Sequence, residues 1–213
     1  MAAEQLSLLG LHDEPDVDPG FRDVRRLRLD EASWVDYCPG WLSGHASVYR
    51  ALREGLRWRA GRRAMYDTVV DVPRLTASIP EDGRGHPILA RAALCLDRRY
   101  KFNFDRWGAS LYRTGHDSVA FHRDKFVRDR DRAVVGIISV GSPRKFLLRP
   151  YGGGKSIALR CGWGDLLVMG GASQRDWEHG VPKQRAADPR ISIQFRCSQF
   201  LSLEGGGKPH QKE

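Results

Sequence analysis

The feature that most constrains the fold is a series of short apolar segments in the C-terminal half of the chain. From residue 106 onward, runs rich in Val, Ile, Leu and Phe recur about every ten residues and are bounded mostly by Gly and Pro. The clearest are residues 133–140, 145–148, 156–159, 165–169 and 190–196. Many short strands at this spacing are typical of a β-sandwich or barrel, so we predict a C-terminal jelly roll.

The N-terminal half instead carries the periodicity of helices. One apolar stripe consists of Leu42, Tyr49, Leu52 and Leu56, and a second, with Pro87 near its start, consists of Leu89, Ala92, Ala93, Leu96 and Tyr100. We therefore predict the α+β class, with two N-terminal helices ahead of a jelly-roll core, also called a double-stranded β-helix.

The chain length fits one folded domain. Its 213 residues, 41% of them hydrophobic, suffice for a core without disulfides. Residues 1–20 are acidic and residues 204–213 are rich in Gly and polar groups, so we expect flexible tails at both ends. The folded domain is expected to span residues 21–203.

The distribution of charge favours a polyanionic partner. The first 20 residues contain five acidic side chains and no Lys or Arg, which leaves 35 basic and 21 acidic side chains, a net charge of +14, in the remainder. Two arginine clusters stand out: Arg57, Arg59, Arg62 and Arg63, and Arg123, Arg128, Arg130 and Arg132. Such an excess is typical of proteins that bind nucleic acid, although a merely solubilising surface would produce it as well.

Several other classes are disfavoured. No apolar stretch approaches the ~20 residues of a membrane span. The N-terminus lacks the basic start and long apolar core of a secretory signal, so we expect a cytoplasmic protein with no membrane partner. We also expect a monomer. The cysteines, Cys38, Cys95, Cys161 and Cys197, form no C-x-x-C pair, which argues against a zinc ribbon or a disulfide scaffold.

His122 and Asp124 stand two residues apart, where a predicted strand ends. Alternation along a strand points both side chains to one face, so the two can share one metal ion. His179, in a second strand-rich region, would complete two histidines and one carboxylate, the set that holds Fe(II) and leaves positions open for substrate and oxygen. Taken alone, the H-x-D pair is more often a surface histidine beside a solvated aspartate.

Residues 190–196 alternate without interruption between polar and apolar side chains. Arg190, Ser192, Gln194 and Arg196 share one face, and Ile191, Ile193 and Phe195 share the other. Two arginines directed into a barrel are costly unless they meet anions. Their separation along a strand of about 20 Å leaves a gap of roughly 6 Å between the side chains, the scale of a small dicarboxylate. An outward-facing basic strand is the alternative.

Together these motifs resemble the AlkB family of Fe(II)- and 2-oxoglutarate-dependent dioxygenases. The H-x-D…H triad and the R-x5-R strand occur in the family's order. Residues 111–115 (Leu-Tyr-Arg-Thr-Gly) precede His122 where the family has N-x-Y and a Gly turn, and residues 164–171 lead to the second histidine. The resemblance covers about residues 60–197.

The resemblance implies a place for each cofactor. His122, Asp124 and His179 would hold Fe(II), with O2 at a remaining position. Arg190 and Tyr112 would hold the distal carboxylate of the co-substrate, 2-oxoglutarate.

The chain differs from the usual pattern of the family at two positions, and one of them is among the remaining co-substrate residues. Arg196 would lie near Asp124 and the metal-chelating end of 2-oxoglutarate, and Ser110 and Gln194 complete the set. Ser110 replaces the usual Asn, a longer donor, so we expect it to reach the co-substrate only through water. The second departure is Phe126, which replaces an acidic residue associated with reading the damaged base and leaves base choice open.

Residues of about 60–90 resemble the family's nucleotide-recognition lid, ahead of a jelly roll at about 104–200. There Met65 and Tyr66 are candidates to stack on a base or enter a duplex, Arg74 to bind phosphate, and His86 to face the target base. The alternatives are an ordinary core aromatic for Tyr66 and a surface-loop histidine for His86.

The activity implied is oxidative demethylation of alkylated bases such as 1-methyladenine and 3-methylcytosine in DNA, a repair reaction that releases formaldehyde, succinate and CO2. RNA stays open as a substrate, and the target base must be single-stranded or flipped out of a duplex. Two alternatives remain. One is a hydroxylase of a protein or small molecule that uses the same cofactors, and the other is a non-catalytic nucleic-acid-binding module.

A protein partner is also predicted from residues 5–9 (Gln-Leu-Ser-Leu-Leu). This segment resembles the short peptide with which bacterial DNA-processing proteins bind the replication sliding clamp, with Leu9 where Phe is preferred. An extension without a binding role is the alternative.

Overall fold

The computed structural model describes residues 14–65, 68–80, 85–124 and 129–200. The strands are β1 (Arg25–Arg28), β2 (Ser33–Cys38), β3 (Arg59–Met65), β4 (Thr68–Ile79), β5 (Arg106–Tyr112), β6 (Val119–His122), β7 (Val135–Gly141), β8 (Arg144–Pro150), β9 (Ile157–Cys161), β10 (Asp165–Gly171), β11 (Trp177–Val181) and β12 (Arg190–Arg196). The helices are α1 (His45–Gly55), α2 (Pro87–Tyr100) and the single turn α3 (Ser173–Asp176), with a 3₁₀ turn at Ser198–Phe200.

These strands form two antiparallel sheets. The large sheet has the order β1-β2-β10-β7-β12-β5-β4-β3, and the small sheet has the order β6-β11-β8-β9. The predicted α+β class with a jelly-roll core is confirmed. Within the described ranges, neither long helix has the length and apolar character needed to cross a bilayer.

The central strands of the large sheet, β7, β10 and β12, bury both faces, which explains their composition. On β7, Ile138 and Val140 belong to a core on the side of the helices, whereas Val135 and Ile137 belong to a second core that also includes residues of the small sheet. A strand covered on both sides is expected to be a nearly continuous apolar run, and residues 135–141 (Val-Gly-Ile-Ile-Ser-Val-Gly) fit that expectation. The space between the two sheets is where the polar face of β12 is directed.

The N-terminal region departs from the prediction in two ways. Residues 14–20 are not a tail, because Val17 is 2% exposed and pairs with Leu42, and the Trp41 indole donates to the carbonyl of Asp18. Leu42 precedes α1, which begins at His45, so it is not part of the helical stripe, although its side chain is buried in the same core. Residues 1–13 and 201–213 lie outside the described part of the chain.

The lid region is part of the large sheet. Strands β3 and β4 form a hairpin at the sheet edge, and β4 pairs with β5 from Leu75↔Leu111 to Ile79↔Trp107. These strands were not predicted from sequence, nor were β1 and β2. β1 and β3 are the edge strands of the sheet and β2 and β4 lie next to them, and the many polar residues in these segments hide the alternation on which strand prediction depends.

Candidate active site

Three potential metal ligands meet at one end of the small sheet. His122 ends β6 and faces His179 directly across the pairing of β6 with β11, while Asp124 follows two residues after His122. One ligand atom from each of the three side chains lies within 4.8 Å of the others. The structure thus brings together the three residues that the sequence singled out.

The orientation of each ligand is supported by neighbours. The His122 Nδ1 lies 2.9 Å from the carbonyl oxygen of Ala120, a contact that leaves Nε2 free to face Asp124 at 4.0 Å. The His179 ring stacks on Phe146 with centroids 5.5 Å apart. The Arg196 Nε donates to Asp124 Oδ2 at 2.7 Å.

The protonation states suit metal binding. Burial and the neighbouring His122 lower the pKa of His179 to about 3, so its imidazole is neutral at physiological pH. Burial raises the pKa of Asp124, but the positive charge of Arg196 and its hydrogen bond hold that pKa well below its ordinary value. A neutral imidazole and an ionised carboxylate are the forms that coordinate a cation.

At the Tyr112 end of the cavity, a buried arginine next to the lining residues has unused donors. Arg190 is 1% exposed, and its Nη2 donates to the hydroxyl of Ser139 at 2.6 Å. Its Nε and Nη1 are buried and have no hydrogen-bond partner among the described residues. A buried guanidinium with two free donors is costly unless an anion completes it, so this end of the cavity fits a carboxylate.

Between these ends lie the other predicted co-substrate residues. The Tyr112 ring is 5.4 Å from the guanidinium carbon of Arg190. Gln194 Nε2 donates to the Ser192 hydroxyl at 3.0 Å and to the Ser110 hydroxyl at 3.5 Å. Ser110 and Gln194 both line the cavity and are joined by this hydrogen bond, which the sequence did not predict.

The sequence profile of the 2OG-Fe(II) oxygenase superfamily matches residues 36–196, which include all of these side chains. The chain belongs to this superfamily. The predicted cofactors Fe(II), 2-oxoglutarate and O2 are those of the superfamily, and the triad of this oxygenase is compatible with iron.

The relatives of this oxygenase in sequence are AlkB homologues. It is 28% identical over 188 residues to alpha-ketoglutarate-dependent dioxygenase alkB homolog 3 of Bos taurus, covering 77% of this chain and 66% of that protein. The same homologue of Homo sapiens is 26% identical over 200 residues, covering 84% and 64%. DNA oxidative demethylase ALKBH2 of Mus musculus is 24% identical over 202 residues, covering 82% and 83%. The predicted resemblance to the AlkB family is confirmed, and the chain spans about two thirds of the length of the homolog 3 proteins.

Solved structures agree on the fold. A Trichoplax adhaerens prolyl hydroxylase in complex with a hypoxia inducible factor peptide has a TM-score of 0.51 at 16% identity, covering 74% of this chain and 78% of that one. An oxidoreductase of the 2OG-Fe(II) oxygenase family from Burkholderia pseudomallei has a TM-score of 0.51 at 15% identity, covering 74% and 79%. At these identities the likeness concerns the fold alone.

Of the residues predicted to contact the nucleic-acid substrate, one lines the cavity, one does not, and the others are described only in part or not at all. Arg74, on β4, lines the cavity of this oxygenase together with the metal triad's histidines. His86 instead caps α2, its Nδ1 accepting from the Ile88 amide at 3.3 Å, and the structure does not bring it to the cavity. Only the backbone of Met65 is described, in β3, and Tyr66 and Phe126 lie outside the described residues, as do residues 5–9.

Arg144 is a second buried arginine that sequence reasoning missed. It is 1% exposed, and its guanidinium carbon lies 5.6 Å from the Tyr112 ring, so two arginines flank that ring. Unlike Arg190, it is held by the carbonyls of Thr114, Asp117 and Pro182 at 2.8 to 3.2 Å. The signal that could have found it is alternation in β8, where Arg144 shares the buried face with Phe146 and Leu148.

Gln174 is a second missed residue. It is fully buried in α3, and its Oε1 accepts from the backbone amide of Asp124 at 3.3 Å. Its Nε2 contacts the sulfur of Met169 at 4.0 Å. Gln174 thus fixes the segment that carries the carboxylate ligand, but a lone Gln in a single helical turn gives no pattern that sequence analysis could use.

The two buried arginines are expected to differ in their effect on stability. Arg144→Met removes the buried guanidinium that donates to three backbone carbonyls, so we expect the free energy of unfolding to fall by about 2–4 kcal/mol. Urea denaturation measures this value. Arg144→Lys, which keeps the charge but not the planar fork, should recover only part of it. An unchanged midpoint for Arg144→Met would contradict a structural role for these bonds.

Proposed function

We propose that this oxygenase removes methyl groups from alkylated bases in single-stranded or flipped-out nucleic acid, with DNA as the main substrate. His122, Asp124 and His179 would hold Fe(II), and the cavity would hold 2-oxoglutarate. When bound, Fe(II), 2-oxoglutarate and O2 supply the oxidation of a C–H bond of the N-methyl group, with 2-oxoglutarate converted to succinate and CO2. The hydroxylated methyl group then leaves the base as formaldehyde.

One observation carries this proposal: the cavity is lined by the two histidines of the metal triad and, next to its Tyr112 end, a buried arginine has two unused donors. Arg190 would bind the distal carboxylate of 2-oxoglutarate, and Tyr112 would line the same end. Arg196 keeps Asp124 ionised and in place. Each of these residues therefore acts before any chemistry, by orienting the groups that react.

The walls of the cavity support the exclusion of water. Val119 and Val181 contribute from the small sheet, and Val135 and Ile137 contribute from the large sheet. Apolar walls strengthen the interaction of the arginines with an anion and limit side reactions of the oxidised site.

Nucleic acid as the substrate rests on different support. The chain beyond residue 20 carries a net charge of +14, and its relatives include a protein named as a DNA oxidative demethylase. The methyl group of 1-methyladenine or 3-methylcytosine lies on the pairing edge of the base, so a paired base cannot reach the metal. The preferred substrate is expected to be single-stranded.

The test is the release of formaldehyde and succinate from single-stranded DNA that contains 1-methyladenine or 3-methylcytosine. The reaction contains Fe(II), 2-oxoglutarate and ascorbate, with wild type compared with His122→Ala. Both products in equal amounts from wild type alone would establish the function. Succinate without base repair would contradict nucleic acid as the substrate, and binding of nucleic acid with no turnover would contradict an enzyme.

A further inference from the structure

An aromatic side chain stands open to solvent beside the cavity. Tyr151 is 58% exposed, and the guanidinium carbon of Arg123 lies 3.5 Å from the centroid of its ring. The Tyr151 amide donates to the carbonyl of Asp176 at 2.7 Å, and Arg123 Nη1 donates to the carbonyl of Arg175 at 3.0 Å. Both members of the pair are therefore held by backbone carbonyls of α3, and more than half of the surface of Tyr151 is open to solvent.

The pair lies at the metal end of the small sheet. Arg123 stands between His122 and Asp124 in sequence. In the pairing of β11 with β8, His179 lies opposite Leu148 and Trp177 lies opposite Pro150. Tyr151 comes directly after Pro150, three residues beyond Leu148. Three residues of extended chain span about 10 Å, so Tyr151 lies within reach of the neighbours of a base held at the metal.

Arg123 is the one cation of this neighbourhood, among the described residues named here, that is not held in a salt bridge. Arg149 pairs with Glu178, and Arg175 pairs with Asp131 and Asp176. Arg123 forms no salt bridge within 4.0 Å among the described residues, although its charge acts on nearby Asp176, so its guanidinium is the group here that can meet a phosphate.

The turn that follows Tyr151 leaves room for such a partner. Gly152 and Gly153 have φ values of 85° and 124°, and a Cβ on either would meet no atom within 4 Å. Because these positions carry no side chains and project into open space, the backbone of another chain can approach the aromatic ring closely.

We propose that Arg123 and Tyr151 form a stacking platform for the nucleotide next to the one being demethylated. A base stacks on the exposed Tyr151 ring, and Arg123 attracts the adjoining phosphate. This inference rests on the proposed function and adds a contact that acts on any base, because every base offers a flat π face. The platform holds the strand while the modified nucleotide enters the cavity.

The test compares Tyr151→Ala with Trp163→Ala. Trp163 is equally exposed, at 56%, but lies in the β9–β10 turn at the arginine end of the barrel. Binding of a single-stranded oligonucleotide with one central 3-methylcytosine is measured by fluorescence anisotropy with Mn(II) and 2-oxoglutarate in the absence of oxygen. We expect Tyr151→Ala to weaken binding about tenfold or more, Tyr151→Trp to keep it, and Trp163→Ala to leave it unchanged.

The outcomes separate this inference from the function on which it rests. Equal affinities of Tyr151→Ala and Trp163→Ala, with wild type binding the oligonucleotide, would overturn the platform alone. No binding by wild type would overturn the proposed substrate. Demethylation supplies a second readout, because loss of the platform should raise KM for the oligonucleotide and leave kcat and the KM for 2-oxoglutarate unchanged.

Discussion

His179→Ala is expected to abolish turnover while leaving the fold intact. The imidazole of His179 offers one of the three ligand atoms that lie within 4.8 Å of one another. His179 lies on β11, which pairs with a strand on each side, so the backbone there is held without this side chain. Loss of one of three ligands removes stabilisation of several kcal/mol from the reaction, which corresponds to about a thousandfold or more in rate. Succinate formation measures the rate, and titration calorimetry with Mn(II) measures metal binding.

The matched control is His116→Ala, an exposed histidine outside the cavity lining. It should bind Mn(II) and form succinate as wild type does. The two variants should have similar circular dichroism spectra. If His179→Ala bound Mn(II) with the affinity of wild type, the assignment of the triad as the metal site would be wrong.

Arg190→Met is expected to lose 2-oxoglutarate without losing stability. Two donors of Arg190 are buried and unpartnered, so each is available to a carboxylate in a site of low polarity. A hydrogen bond to a charged group contributes about 1.5–3 kcal/mol, and the loss of two corresponds to a hundredfold or greater rise in Kd. Methionine has a similar length and needs no partner, so the free energy of unfolding should stay level or rise.

Two ligands sharpen this experiment. 2-Oxopentanoate has the 2-oxo acid end and the chain length of 2-oxoglutarate but no distal carboxylate. Wild type should strongly prefer 2-oxoglutarate, whereas Arg190→Met should bind both with similar, weak affinity in calorimetry with the Mn(II) protein. A preference that survives in Arg190→Met would show that the distal carboxylate binds elsewhere.

Opposite effects on stability distinguish the two buried arginines. Arg144 donates to three backbone carbonyls and supports the loops that carry them. Arg190 has one partner, the Ser139 hydroxyl, among the described residues. A buried cation with unused donors is costly to the folded protein, so its presence indicates a binding site for an anion. The difference between Arg144 and Arg190 is seen only in their hydrogen bonds, not in the sequence.

Some strands could be predicted from the sequence and others could not, and the difference has a physical cause. In β12, one face packs on an apolar core and the other lines a polar cavity, so the period of two was unmistakable. In the sequence of β3 and β4, polar residues interrupt the period of two, and the hairpin was missed. Residues 14–20 were predicted as a tail from their acidity, yet Val17 and Phe21 anchor the region in the core.

The sequence by itself determined the chemistry of the site, because the types and order of His122, Asp124, His179, Arg190 and Arg196 are enough to suggest a metal and a small dianion. It also determined which face of β12 is polar, since alternation is a local property of a strand. Tertiary structure alone decided which residues support the site. Gln174 reaches Asp124 across 50 residues and Arg144 reaches Thr114 across 30, and such long-range contacts depend on how the two sheets close over the cavity.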